Sequence, residues 1–374
     1  PESGKTLCCV CALLTDDSIG NALAQRLEDF SLCNRDAGKN LQYAILADLP
    51  DTYDEPLPHA GEWIDAARRA VAGLNGRYGG CFYLLLRPRT KSAEGRWMGR
   101  ERKRGAILET MRMLRGEQGS VKVAEGDAAA LAGTQFLLVL DSDTRLTPGA
   151  ARELIGAMLH PINQPEYDKR KNIVTHGYGI LSPRMATELS SAGATDYSRA
   201  FAGQGGTDPY GWACSELYMD LWQRGCFAGK GLIHIDAYLK VLSGRIPENL
   251  LLSHDAVEGA FLRCGFVSDT VFTDSFPGEV CSDLKRLERW TRGDWQNLPW
   301  LFHRGRALPE LEKWKLFDSL RRSLLPVSVL QALLLEELRR HGNVSFSLRF
   351  LCRLPSLRAS SPWRARKTAC IFHS

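Results

Sequence analysis

Apolar runs of strand length alternate with amphipathic helical patterns through the first 140 residues, and this alternation leaves few folds open. Strands are expected at residues 6–14, 42–47, 81–86 and 135–140, and helices at 18–30, 62–74 and 105–114, the last preceded by a basic connection. Strands separated by helices pair in parallel with the helices laid over the sheet, so the chain reads as α/β with a mostly parallel, Rossmann-like sheet. After residue 143 the pattern mixes. A helix is expected at 148–159, a strand near 173–181, a Gly-rich span at 203–211 and then more helices, an elaboration continuous with the first half and helical toward its C-terminal end.

With 374 residues, 44% of them apolar and 24% charged, the chain can bury a full core. The net charge of +5 belongs to residues 339–374, which carry eight Lys or Arg and no Asp or Glu. The remainder sets 40 basic against 43 acidic side chains, so the body presents no basic surface for nucleic acid. Eleven cysteines lack regular spacing and are read as reduced, mostly buried thiols of a cytosolic compartment. The chain opens on Pro1 and a strand-like run in place of a signal peptide, and is read as a piece of something longer. Its longest apolar stretch, LLPVSVLQALLL at 324–335, is 12 residues where roughly 20 span a bilayer. It reads as a packing or interfacial helix, or as the stump of a membrane segment. The tail beyond residue 340 shows neither helical nor strand period and is expected to be poorly ordered.

Ligands of parallel sheets sit at the carboxyl ends of the strands, which is where Asp48 and the pair Asp141 and Asp143 fall. In FLLVLDSDTRL, period-two geometry sends both carboxylates to the same side, as two ligands for a hard divalent cation need. Such an ion would bridge the phosphates of a nucleotide sugar and neutralise the leaving diphosphate. DSDT also suits a plain strand-to-helix turn.

Four further segments carry chemistry. Asp255, in Ser253-His254-Asp255 ahead of the helical pattern AVEGAFLRCGF, is either an N-cap or a general base toward an acceptor hydroxyl, and His254 is either a ligand or, the favoured reading, a residue in the core or behind the base. In KRLERWTRGDW, helical spacing brings Arg286, Arg289 and Asp294 near one another, Arg289 suits a departing diphosphate, and Trp290 and Trp295 offer faces for sugars; the alternative is a solvated charged helix with core tryptophans. In RWMGRERKRG, Lys103 and Arg104 enter a helix where they would hold an anionic ligand, or form a solvated charge run. In FAGKG, glycines flank Lys230 and allow close backbone approach by a ligand, or make a turn.

In this order the motifs resemble family 2-like processive glycosyltransferases: Asp48 matches the first Asp, Asp141 and Asp143 the DxD, Asp255 the base, and Arg289-Trp290 the RW of QxxRW. The segments RWMGRERKRGAILE, LVLDSDTRLTPGAARELIGAMLHPINQP, GYGILSPR, GGTDPYGWACSELYMDLW, AGKGLIHIDAY, RIPENLLLSHDAVEG and RLERWTRGDWQNLPWL are similar, in order, to the glycosyltransferase domain of cyclic β-1,2-glucan synthases. That resemblance implies a GT-A-like fold, UDP-glucose as donor, Mg2+ or Mn2+ at Asp141 and Asp143, and a β-1,2-glucan acceptor and product. It further implies Asp48 on the uracil with Lys103 and Arg104 nearby, Asp255 as the inverting base, Arg289 on the leaving UDP, and acceptor contacts from Trp290, Arg286, Lys230, Asp294 and Trp295. The parent proteins sit at the cytoplasmic face of the bacterial inner membrane between membrane helices and carry a phosphorylase-like domain. Residues 1–338 would form the transfer domain, divided into a nucleotide half at 1–140, a metal and acceptor half at 141–305 and interfacial helices at 306–338, followed by the basic tail at 339–374. Here Arg286 stands where the general pattern has Gln. The rival expectations are a synthase of another β-glucan, a truncated domain that binds sugar nucleotide without turnover, and, least favoured, a carbohydrate-binding module.

Overall fold

The computed structural model describes residues 3–92, 94–117, 119–168, 170–203, 216–248, 251, 254–302 and 308–341. The chain divides into two compact units, 1–317 and 318–374. The first is built on a nine-stranded sheet of β1 (Thr6–Leu13), β2 (Leu41–Asp48), β3 (Phe82–Leu86), β4 (Lys122–Glu125), β5 (Phe136–Asp141), β6 (Arg145–Leu146), β7 (Ile180–Thr187), β8 (Gly231–His234) and β9 (Cys264–Asp274), in the order β4-β3-β2-β1-β5-β8-β7-β9-β6. Strands β3, β2, β1 and β5 run parallel, as do β7 and β9; the antiparallel β8 joins the two sets. The α/β expectation therefore stands, with a sheet that is parallel at its centre and mixed at its margins.

Alternation along β1 explains why the sheet is covered on both faces. Leu7 and Cys9 enter one apolar core and Cys8 and Val10 the other, all four fully buried. Helix α1 (Asp17–Cys33) starts where the Asp16 side chain accepts from the backbone of Ser18 and Ile19, and it buries Leu23, Leu27 and Phe30 along one stripe. It crosses α2 (Ala60–Tyr78) at Gly20, where a Cβ would fall 2.6 Å from Ala67 Cα. Only the absence of a side chain allows that approach. Helices α3 (Arg102–Met113) and α4 (Ala150–Leu159) follow as the helical periods predict, and α5 (Ile235–Leu242) and α6 (Asp255–Leu262) complete the elements around the site.

Two expectations are corrected. The single strand near 173–181 is two: Ile173–His176 pairs antiparallel with Glu166–Asp168 in a separate hairpin, and β7 begins at Ile180. They part at Gly177, whose φ of 61° and contact with Gln164 O admit no side chain. The helical reading of AVEGAFLRCGF also runs too far, for α6 stops at Leu262 and CGF opens β9, where alternating burial and the β-branched Val267, Thr270, Val271 and Thr273 favour strand.

Of the described cysteines, Cys8, Cys9 and Cys264 are buried, whereas Cys33 and Cys281 are exposed. Two long helices follow, α7 (Val280–Gln296) and α8 (Glu310–His341). The apolar stretch at 324–335 lies within α8 and exposes Leu325, Leu330, Leu333, Leu334 and Leu335 by half or more. No helix among the described residues is long and apolar enough to cross a membrane. The Gly-rich span from residue 204, Ser253 and the tail from residue 342 lie outside the described residues.

Candidate functional site

One edge of the sheet collects the polar ends. Asp48 closes β2, Asp141 closes β5 and Asp274 closes β9; β8 runs the other way, so Gly229 and Lys230, just before its first residue, reach the same edge. The order reverses at β1, between β2 and β5, which is where open α/β sheets leave a crevice for a ligand.

At the β2 side of that crevice Asp48 meets a partner that sequence reasoning missed. Arg87, just beyond β3 and almost fully buried, donates from Nε to Asp48 Oδ1 at 2.9 Å and from Nη2 to Oδ2 at 2.5 Å, a bidentate pair. Arg87 also donates to the carbonyls of Arg100 and Arg102. The basic segment can pass so close because Gly99 has no side chain, a Cβ there falling 2.6–2.7 Å from Arg87 Nη2 and Asp48 Oδ2. Arg104 is buried, pairs with Glu101 and faces Pro247 O at 3.4 Å, whereas Lys103 reaches the centre of the crevice.

There Lys103 Nζ donates to Asp141 Oδ1 at 2.5 Å and to Gly229 O at 2.7 Å. Lys230 Nζ donates to the buried Asp274 Oδ2 at 2.5 Å and lies 3.4 Å from Asp141 Oδ2, while Thr144 Oγ1 donates to Asp274 Oδ1 at 2.7 Å. Burial works to raise the Asp141 carboxyl, but the two ammonium groups outweigh it and hold it below the usual range. Both lysines are held above theirs, since Asp141 with Cys11 and Asp255 around Lys103, and Asp141 with Asp274 around Lys230, overcome burial. Asp143 goes the other way: burial, then Asp274, with a smaller push from Asp141, raises it against the pull of Lys230. Negative charge is thus in excess at Asp143, and its hard oxygen donors suit a divalent cation.

Asp255 is the first residue of α6; the cap position is His254, whose side chain makes no capping bond. A Cβ on Gly229, already at φ 79°, would fall 2.8–2.9 Å from the Asp255 carboxylate, so the FAGKG turn packs directly against it. Burial first, then Glu258 and Asp141, raises Asp255, against His254 and Lys103. A carboxyl so raised and about one-third open to solvent has the properties of a proton acceptor.

On α7, Arg286 pairs with Asp283 at 2.7 Å, and its guanidinium lies over the rings of Phe276 and Trp290 at 5.1 and 4.9 Å. Trp290 is half-buried, Arg289 is exposed, and Trp295 is 44% exposed. The structure therefore brings Lys103, Asp141, Asp143, Lys230 and Asp255 together, adds Asp274 and Arg87, and gives Arg286 a partner within its own helix. Asp274 and Arg87 obey the same strand-exit rule as Asp48, the first hidden by the helical reading of β9 and the second by its place in a basic run.

The first unit is thus a mixed, centrally parallel sheet with acidic residues at its strand exits. Over 338 residues the chain is 38% identical to cyclic beta-(1,2)-glucan synthase NdvB of Rhizobium meliloti (strain 1021), and it is a homologue of that protein. The match covers 89% of this chain and 12% of the relative, so the chain spans a small part of the relative's length. No family model matches. Solved structures that align include mannosyltransferase PcManGT from Pyrobaculum calidifontis in complex with GDP-Man and Mn2+ (12% identity, 93% of this chain and 77% of that one, TM-score 0.49) and S. aureus TarS (12% identity, 86% and 44%, TM-score 0.40).

Proposed function

We propose that this chain is the transfer domain of a glucan synthase, moving glucose from UDP-glucose to a growing β-1,2-glucan with inversion. The observation that carries the reading is the meeting, at one sheet edge, of a raised carboxyl at Asp255 with the Asp141, Asp143, Lys103 and Lys230 cluster. Homology with the glucan synthase supports the linkage.

Asp48, held by Arg87, keeps a free lone pair on each carboxylate oxygen and can accept from the uracil N–H. Asp141 and Asp143 would hold Mg2+ or Mn2+, which when bound would supply charge neutralisation for the diphosphate. Lys103 and Lys230 exchange part of their carboxylate contacts for phosphate oxygens, and Arg104 stays behind Lys103 to support its helix. Asp255 takes the proton of the acceptor hydroxyl as that oxygen forms its bond to the anomeric carbon and the bond to UDP breaks. Arg289, exposed on α7, approaches the departing UDP, while Trp290, Arg286, Asp294 and Trp295 line the acceptor path. Residues 1–338 form the working domain, the exposed leucines of α8 meet membrane elements of the longer protein, and the site faces the cytoplasm.

UDP release from UDP-glucose, measured with and without Mn2+ or Mg2+ in detergent and with a short β-1,2-glucan acceptor, tests this. Metal-dependent release with β-1,2 linkages in the product is expected. Other linkages would make the chain a different β-glucan synthase, and UDP binding without release would leave it a binding domain.

A further inference from the structure

Glu258 is a carboxylate with no exposure at all, one turn into α6 and behind the proposed base. A buried charge of this kind is retained at a cost unless its partners are well arranged, so its surroundings are informative. Tyr238, from α5, donates its hydroxyl to Glu258 Oε1 at 2.5 Å. His254 Nδ1 lies 3.0 Å from the same Oε1 and 3.4 Å from Asp255 Oδ1. The imidazole is thereby set between two carboxylates, one sealed in the core and one opening on the crevice. Both are ion-pair contacts, and His254 Nδ1 has no hydrogen-bond partner of good geometry among the described residues.

We propose that Tyr238, Glu258 and His254 form a buried relay of positioning residues that orients the Asp255 carboxylate and keeps it ionised for proton abstraction. The inference rests on the reading of Asp255 as the base. Tyr238 fixes Glu258, Glu258 keeps the proton on His254, and the imidazolium steadies the Asp255 oxygen that does not face the acceptor. The charges facing this group are Lys103 from α3 and Asp141 from β5, together with His254 and Glu258 on its own helix. Burial disfavours the imidazolium, but Glu258 and then Asp255 draw its pKa above the ordinary histidine value. The imidazolium and Lys103 in turn oppose the burial that raises Asp255. Removing the Glu258 charge takes away one influence that raises Asp255, but it also lets go of the proton on His254, whose imidazolium lowers Asp255 by more than Glu258 raises it, so Asp255 then ionises only at higher pH.

The test is the pH profile of UDP release by the whole chain, at saturating Mn2+, for the wild type, Glu258→Gln and Tyr238→Phe. Glu258→Gln is expected to lower kcat by up to about 10²-fold, the scale for a group moved ~1 Å out of register, with KM for UDP-glucose unchanged and the acid limb moved to higher pH. Tyr238→Phe removes one hydroxyl, loosens the same carboxylate and moves the limb in the same direction by less. Should Glu258→Gln fail to fold, Tyr238→Phe carries the test. An unmoved acid limb in a folded, UDP-binding variant overturns the relay and leaves the transferase reading intact. A wild-type chain that binds UDP and releases none takes both down. The ligand atoms of His254, Asp255 and Glu258 also lie within 4.8 Å of one another, so metal analysis of the dialysed protein is a second arm. A tightly held transition metal lost in Glu258→Gln would make the group a metal centre and overturn the relay.

Discussion

The two sides of the crevice handle buried charge differently. On the β2 side, Asp48 faces a single guanidinium that meets both its oxygens and is itself fixed by two carbonyls. Beyond β5, Asp141, Asp143, Asp255 and Asp274 share two lysines, and both Asp143 and Asp255 are left above the usual carboxylate range. One side is a closed pair of fixed geometry, suited to reading a base. The other is short of positive charge and shares its two lysines among four carboxylates, which suits the metal, diphosphate and proton of the proposed reaction.

The largest effect expected from breaking the second side is on turnover. Asp255→Asn keeps the shape and removes the acceptor for the proton, so UDP release should fall by about 10²–10⁴-fold while UDP binding, followed by calorimetry, persists. Full release by this variant would remove Asp255 from the chemistry. Next in size is Asp274→Ala, which strands the buried Lys230 ammonium with only the more distant Asp141. Loss of one partner of a buried ion pair costs roughly 3–5 kcal/mol, to be read from the denaturation midpoint at neutral pH. An unchanged midpoint would mean that Lys230 is solvated and the site more open than its burial indicates. Gly229→Ala follows. Both the positive φ and the Asp255 carboxylate oppose a methyl group there, and displacement of the base by ~1 Å should lower kcat by about 10²-fold.

Much of this was legible in the sequence, for physical reasons that also explain what was not. Strand exits are marked by an apolar run meeting a carboxylate, and Asp48 and Asp141 stand out for that reason. Asp274 follows an equally good strand, but its run begins inside what reads as the end of a helix. The boundary between α6 and β9 is set at Arg263, whose φ of 53° stops the helix, and a Gly-free turn of that kind carries no signal in the sequence. Arg87 and Glu258 are invisible for another reason. A charged residue in a basic run, or one in mid-helix, reads as solvated, and only the tertiary fold buries the first against Asp48 and the second beneath His254. Periodicity reports which face of an element is buried, whereas ion pairs between distant elements have no period at all.

The smallest effect belongs to the closed side and separates the two most sharply. Gly99→Ala places a methyl group 2.6–2.7 Å from Arg87 Nη2 and Asp48 Oδ2, at a residue whose φ is not in the left-handed region, so the backbone tolerates it and the ion pair must yield. Arg87 is nearly without solvent exposure and has little room to move, so the pair will tilt rather than separate. If this side binds the base and does no chemistry, the loss falls equally on ground state and transition state. KM for UDP-glucose should then rise about tenfold with kcat unchanged, the signature of lost uniform binding. A fall in kcat at unchanged KM would instead mean that the Asp48–Arg87 pair helps to position the sugar itself, and the division between a reading side and a reacting side would have to be redrawn at β1.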